Sequence, residues 1–78
     1  MFEVIEIYKN GTGVILHRFN NRNEAGAYRY ERSRYVQQLS DNLIGMLRAG
    51  VPGYKIQMFL DGIGFDPLSV QGHEVREV

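Results

Sequence analysis

β-Branched and aromatic residues fill Phe2 to Lys9 and Val14 to Phe19, and between them lies Asn10-Gly11-Thr12-Gly13. This is the pattern of two strands joined by a tight turn, because Asn-Gly readily takes the two positive-φ positions of a type I′ hairpin. With Asn10-Gly11 as a two-residue loop, Ile7 faces Val14, Ile5 faces Leu16 and Glu3 faces Arg18. That face, apolar at its centre and charged at its end, is the one expected to pack on the core. The reverse face carries Phe2, Val4, Glu6, Tyr8, Ile15, His17 and Phe19. It is too apolar for open water, so the hairpin is expected to be covered on both sides or to keep one face or edge for a partner.

From Asn21 the period changes. Asn21-Arg22-Asn23-Glu24 has the spacing of a capping box, with Phe19 placed as an apolar staple. Tyr28, Arg32, Val36, Leu39 and Leu43 fall within about 60° of Ala25 at 100° per residue, and the stripe continues to Met46 and Leu47. Gly50 supplies a stop. The spacing predicts one helix over 22–49, with Ser40-Asp41-Asn42 as the place for any bend. Such a helix is roughly 40 Å long against ~25 Å for an eight-residue strand, so its overhang needs a second cover. Pro52 opens a shorter helix whose Ile56, Phe59, Leu60 and Ile63 share a face and supply that cover, with Tyr54 and Met58 on the opposite side. Gly62-Ile63-Gly64-Phe65 reads as a turn, Asp66-Pro67 as a turn or helix start, and His73 to Val78 as a frayed end or a short strand.

The fold class expected is therefore α+β: an N-terminal two-stranded antiparallel hairpin followed by a long helix and a shorter helix. Seventy-eight residues make a single small domain, 1–78. An isolated two-stranded sheet is marginal, with both edges open, and a homodimer that pairs edges or buries the Phe2/Phe19 face would answer both problems. There is no cysteine, which excludes disulfides and thiolate metal sites. No apolar run is long enough for a membrane span. The opening MFEVIEIYK carries acids and no basic segment, unlike a signal peptide, so a cytoplasmic location is expected.

Nine basic and nine acidic residues cancel, which argues against a protein dedicated to coating polyanions. The balance is uneven along the chain, because five of the seven arginines lie between Arg18 and Arg34 while the C-terminal quarter is acidic. Catalysis is poorly supplied. Ser33, Ser40 and Ser69 sit in no nucleophile-elbow context, and His17 and His73 lie far apart in sequence, so nothing in the spacing favours a Ser-His-acid set. The same two histidines offer no metal-ligand spacing. Neither an enzyme nor a cofactor or metal site is expected.

The unusual segment is Arg29-Tyr30-Glu31-Arg32-Ser33-Arg34-Tyr35. Tyr28 and Tyr35 point toward the apolar stripe. Tyr30 falls about 140° from it, with Arg34 one turn on, Gly26 one turn back, and Arg22 and Arg29 at its flank. An exposed aromatic beside arginine and small residues has the composition of an interface hot spot. Arg32 lies in the middle of the apolar stripe, so it must snorkel, pair with Glu3 or Glu6, or meet an acid of a partner. The candidate partner-binding residues are Tyr30, Arg34, Arg22, Arg29 and Arg32.

Two resemblances add to this. The run of strand, Asn10-Gly11, strand and then Phe19-x4-Glu24-Ala25-x2-Tyr28, over residues 2–30, resembles small phage-encoded accessory proteins. Some of these are anti-CRISPR inhibitors built as a hairpin followed by one or two helices. The resemblance implies a non-enzymatic protein that occludes a surface of a host defence complex in the host cytoplasm. It transfers no site residue, since such proteins share architecture and not contacts. The second resemblance is to a helix-turn-helix, in LIGMLRAGVP (43–52) followed by YKIQMFL (54–60). It implies a small nucleic-acid-binding regulator using Tyr54, Lys55 and Gln57 on bases. Only Lys55 is basic on that second helix, and phosphate neutralisation supplies much of DNA affinity. A protein-binding module, with a host protein or a second copy as partner, is the leading expectation, and nucleic acid the alternative.

Overall fold

The computed structural model describes all residues, Met1–Val78. Strands β1 (Phe2–Tyr8) and β2 (Gly13–Phe19) form the hairpin, helix α1 covers Arg22–Arg48, and helix α2 covers Gly53–Ile63. A single 3₁₀ turn, Pro67–Ser69, then leads into a third strand, β3 (Val70–Glu77). The sheet is antiparallel throughout in the order β2-β1-β3. The two-stranded hairpin expected from sequence is thus part of a three-stranded sheet. β3 occupies the edge of β1 that the hairpin leaves open, and Val78 N–H donates to the Met1 carbonyl at 2.9 Å to close its end.

The hairpin turn differs in type from the one expected. Gly11 alone has positive φ (89°), and its N–H donates to the Tyr8 carbonyl at 2.9 Å. Tyr8 N–H in turn donates to the Thr12 carbonyl. This is a three-residue loop in which glycine takes the left-handed position. The Asn10 side chain accepts from Thr12 N–H and Oγ1 at 3.0 and 2.7 Å. The longer loop and an irregularity between Val4 and Ile5 leave Leu16 unpaired, so Ile5 stands opposite Ile15 and not Leu16, while Glu3 keeps Arg18.

The sheet also presents the other face to α1. Phe2, Val4, Glu6 and Tyr8 point to the helix, as the contacts of Arg22 with Phe2 and of Arg32 with Glu6 require. The Ile5/Ile7 face is the one no helix covers. Ile5 is still only 5% exposed, sheltered by its neighbours, and Gly13 lies so near that a Cβ there would sit 3.2 Å from Ile5 Cγ2. The face turned to α1 is the one with the larger side chains, Phe2 and Phe19 standing half-buried on either side of the hairpin's open end beside the fully buried Val4.

α1 begins as its sequence indicates. Asn21 Oδ1 accepts from the N–H groups of Asn23 (2.7 Å) and Glu24 (3.3 Å). It runs unbroken through Ser40-Asp41-Asn42. It ends in a Schellman motif, with Val51 N–H on the Met46 carbonyl, Gly50 N–H on the Leu47 carbonyl and Gly50 at φ 72°. Ala25, Val36, Leu39 and Leu43 are its buried positions, and with Val4 and Ile5 they make the apolar core. The 3₁₀ turn docks on the same helix through buried Pro67, whose carbonyl accepts from Ser40 Oγ at 3.2 Å.

Candidate functional site

Two groups of polar side chains lie on α1, one turned to the sheet and one to solvent. The inner group is organised by Glu6, whose side chain is 1% exposed at the middle of the central strand. Its Oε2 accepts from Arg32 Nε at 2.9 Å and from His73 Nε2 at 2.8 Å, and its Oε1 accepts from Tyr8 OH at 2.7 Å. Burial alone would push the Glu6 carboxyl up. The hydrogen bonds from Arg32, Tyr8 and His73, with the Arg32 charge, outweigh it and hold the carboxyl below its ordinary value. The same bond to Glu6 raises the Tyr8 phenol and the Arg32 guanidinium. No buried side-chain nitrogen or oxygen in the chain lacks a partner.

Arg32 therefore takes the second of the roles its position in the apolar stripe allowed, pairing with Glu6. Its guanidinium also lies over the rings of Phe65, at 4.9 Å from the centroid, and Tyr35, at 5.4 Å. It ties the sheet, α1 and the segment after α2 together. Tyr35 is 45% exposed, with its ring on the arginine and not in the stripe.

His73 completes an arrangement that sequence spacing did not indicate. With Nε2–H donating to Glu6, Nδ1 is free to accept from Ser33 Oγ, 3.0 Å away. A hydroxyl, an imidazole and a carboxylate are thus in line, the order found in nucleophilic relays. Ser33 nevertheless sits in the middle of α1, where the N–H groups around it are committed to carbonyls four residues back and none is free to meet an oxyanion. The carboxylate is also already balanced by Arg32. The arrangement is suited to fixing β3 against β1 and α1. No three His, Asp or Glu side chains converge to hold a metal ion.

The outer group holds the other arginines named from sequence. Tyr30 is 63% exposed, and the Arg34 guanidinium lies 5.8 Å from its ring centroid. One turn toward the helix start, Arg22 and Arg29 line a groove of ≈ 290 Å³ together with Phe2, Gly26, Val75 and Glu77. Arg22 stacks on Phe2 and reaches Glu77 at 3.5 Å in a mostly solvated ion pair. The salt bridges of the chain engage Arg18, Arg22, Arg32 and Arg76, and leave Arg29 and Arg34 without an acid. The structure thus brings Arg22 and Arg29 together in one groove and sets Arg34 on Tyr30 outside it, beside a second groove lined by Glu31, Tyr35 and Gln38, and it turns Arg32 inward, away from both pairs.

On the opposite flank of α1, toward β2, His17 and Phe19 lie 4.5 Å apart between ring centroids and pack on Tyr28 at 5.7 and 5.4 Å. On α2 the residues of the helix-turn-helix resemblance are exposed, but the Gln57 amide donates to Asp61 at 2.8 Å and so is engaged within its own helix. Comparison with known proteins finds no match to a family model, to a curated protein or to a solved structure. No helix is long and apolar enough to cross a membrane.

Proposed function

We propose that the chain is a non-enzymatic protein-binding module, of the kind a phage or other mobile genetic element uses to occlude a surface of a host complex. Its contact face centres on Tyr30 and Arg34, with Arg22 and Arg29 at the rim. The observation that carries this reading is Tyr30 itself. It is a large aromatic, 63% exposed on a well-capped helix whose opposite side is anchored to the sheet, with an arginine over its ring that no acid engages. Tyrosine and arginine dominate interface hot spots because each offers a broad surface with a polar tip at low entropic cost. The adjacent groove at Gly26 leaves room for a side chain of the partner.

The test is capture of a partner from bacterial lysate on immobilised wild-type protein and on the Tyr30→Ala/Arg34→Ala double variant. The reading expects a complex retained by the wild type and lost by the double variant. Equal retention by both overturns the assignment of the face. A gel shift with duplex and single-stranded DNA and RNA at two salt concentrations separates the nucleic-acid alternative. Binding tighter than micromolar that weakens steeply with salt would favour that alternative.

A further inference from the structure

α2 is apolar over most of its length, but its inner residues Ile56, Phe59, Leu60 and Ile63 are only half-buried. Six of its residues are Tyr54, Ile56, Met58, Phe59, Leu60 and Ile63, yet none is buried, and Tyr54 and Met58 are 66% and 67% exposed. The sheet-facing stripe of α1 runs past the end of the sheet in the same region. Leu43 is 3% exposed, and Leu47, one turn on, is 53% exposed. A helix of eleven residues depends on tertiary packing for its stability, and here the chain supplies little.

The dimensions of the whole molecule carry the same message. A compact chain of this length has a radius of gyration of about 11.5 Å, whereas this one has 14.3 Å and extents of 44 × 22 × 17 Å. Its accessible surface is 5350 Å², against about 4,850 Å² for a compact monomer of its mass. The excess of roughly 500 Å² per chain approaches the ~600 Å² that each partner buries at the lower end of stable interfaces.

We infer that the tip of the α1–α2 hairpin, around Leu47, Tyr54 and Met58, is the interface of a two-fold symmetric homodimer. The occupant is a second copy for two reasons. Two stacked helical hairpins form a four-helix layer, the arrangement that buries both faces of a short amphipathic helix. In an antiparallel pairing of α2 with its copy about Met58, Lys55 and Asp61 stand three residues to either side, so each meets the opposite charge of the other chain. The sheet offers fewer grounds for dimerisation than the bare hairpin did. The Phe2/Phe19 face lies under α1, and β3 fills the second edge of β1, so that edge pairing is left to the outer edges of β2 and β3. The inference is independent of the reading of Tyr30, which lies about 25 Å back along α1. A dimer would display two such faces.

Sedimentation equilibrium at tens of micromolar tests this on the wild type, Met58→Glu, Leu47→Glu and Ile15→Glu, the last on the uncovered sheet face. The wild type and Ile15→Glu are expected at twice the 9.0 kDa chain mass, and Met58→Glu and Leu47→Glu at the mass of one chain with their helical circular dichroism retained. Hydrogen exchange on the wild type alone gives a second reading. The amides of α2 are expected to exchange several-fold more slowly in concentrated than in dilute protein, with no such change in the Asn10–Thr12 turn. A wild type at 9.0 kDa, as a tip reserved for a different protein would give, overturns the inference. So does a dimer that survives both tip substitutions, as one built on the β2 edge would, or α2 exchange that ignores concentration.

Discussion

Glu6 and Arg32 stand 26 residues apart in the chain and 2.9 Å apart in the fold, joining the middle of the central strand to the middle of the long helix. A carboxylate is the least expected residue at the centre of so small a core. It is tolerated because four neighbouring donors and a counter-charge come with it, Arg32 giving two and Tyr8 and His73 one each.

Removing one partner of such a pair leaves the other buried and uncompensated. Glu6→Ala should cost about 3–5 kcal/mol in urea denaturation, and the double replacement Glu6→Leu/Arg32→Leu should cost clearly less than the sum of its two single changes. A loss below about 1 kcal/mol for Glu6→Ala would show that the cluster is not buried as described.

The same cluster sets the pH range of stability. The Glu6 carboxyl has a folded value below its ordinary 4.5, so its contribution is whole above that value and is lost as pH falls through the lowered one. Tyr8 runs the other way. Its folded value is raised above 10.0, so its contribution is whole below that value and is lost as pH rises through the raised one. Thermal denaturation across pH should show both limbs, with Tyr8→Phe flattening the alkaline limb and Glu6→Gln the acid one. Limbs unchanged in these variants would assign the pH dependence to other groups.

Much of the helical part was legible because its signals are local. The Asn21 cap, the stripe from Ala25 to Leu43 and the stop at Gly50 each depend on neighbours within a turn or two. The Ile56/Phe59 and Tyr54/Met58 faces of α2 were legible for the same reason. The sheet was read less well. Val70–Glu77 carries few apolar residues, and its helix-facing position 73 is a histidine that is buried against Glu6, so the sequence left His73 to Val78 open between a frayed end and a short strand and did not extend it back to Val70. The unpaired Leu16 moved the register past Ile5 by one residue, and a one-residue slip exchanges the faces of a strand. Of the candidate binding residues, the wheel placed Tyr30 and Arg34 outside correctly. It also limited Arg32 to three roles, and only the position of Glu6 in space selected one. The line from Ser33 through His73 to Glu6 spans 67 residues and had no trace in spacing.

The rim arginines should act on encounter more than on retention. Changing Arg22 and Arg29 to Glu should slow association with a protein partner, and the slowing should shrink at high salt, as surface-plasmon kinetics at two ionic strengths would show. The Arg22–Glu77 pair is too solvated for its loss to shift stability beyond ~0.5 kcal/mol. An effect confined to dissociation would place these residues in the centre of the contact.

The most direct test of the binding face is Tyr30→Ala, measured for partner affinity and folding stability in the same preparation. The account predicts a Kd raised about 30-fold or more, equivalent to ~2 kcal/mol of binding, with unfolding free energy within ~0.5 kcal/mol of the wild type. An unchanged Kd, or a variant that unfolds, would contradict it and move the search to the uncovered Ile5/Ile15 face of the sheet.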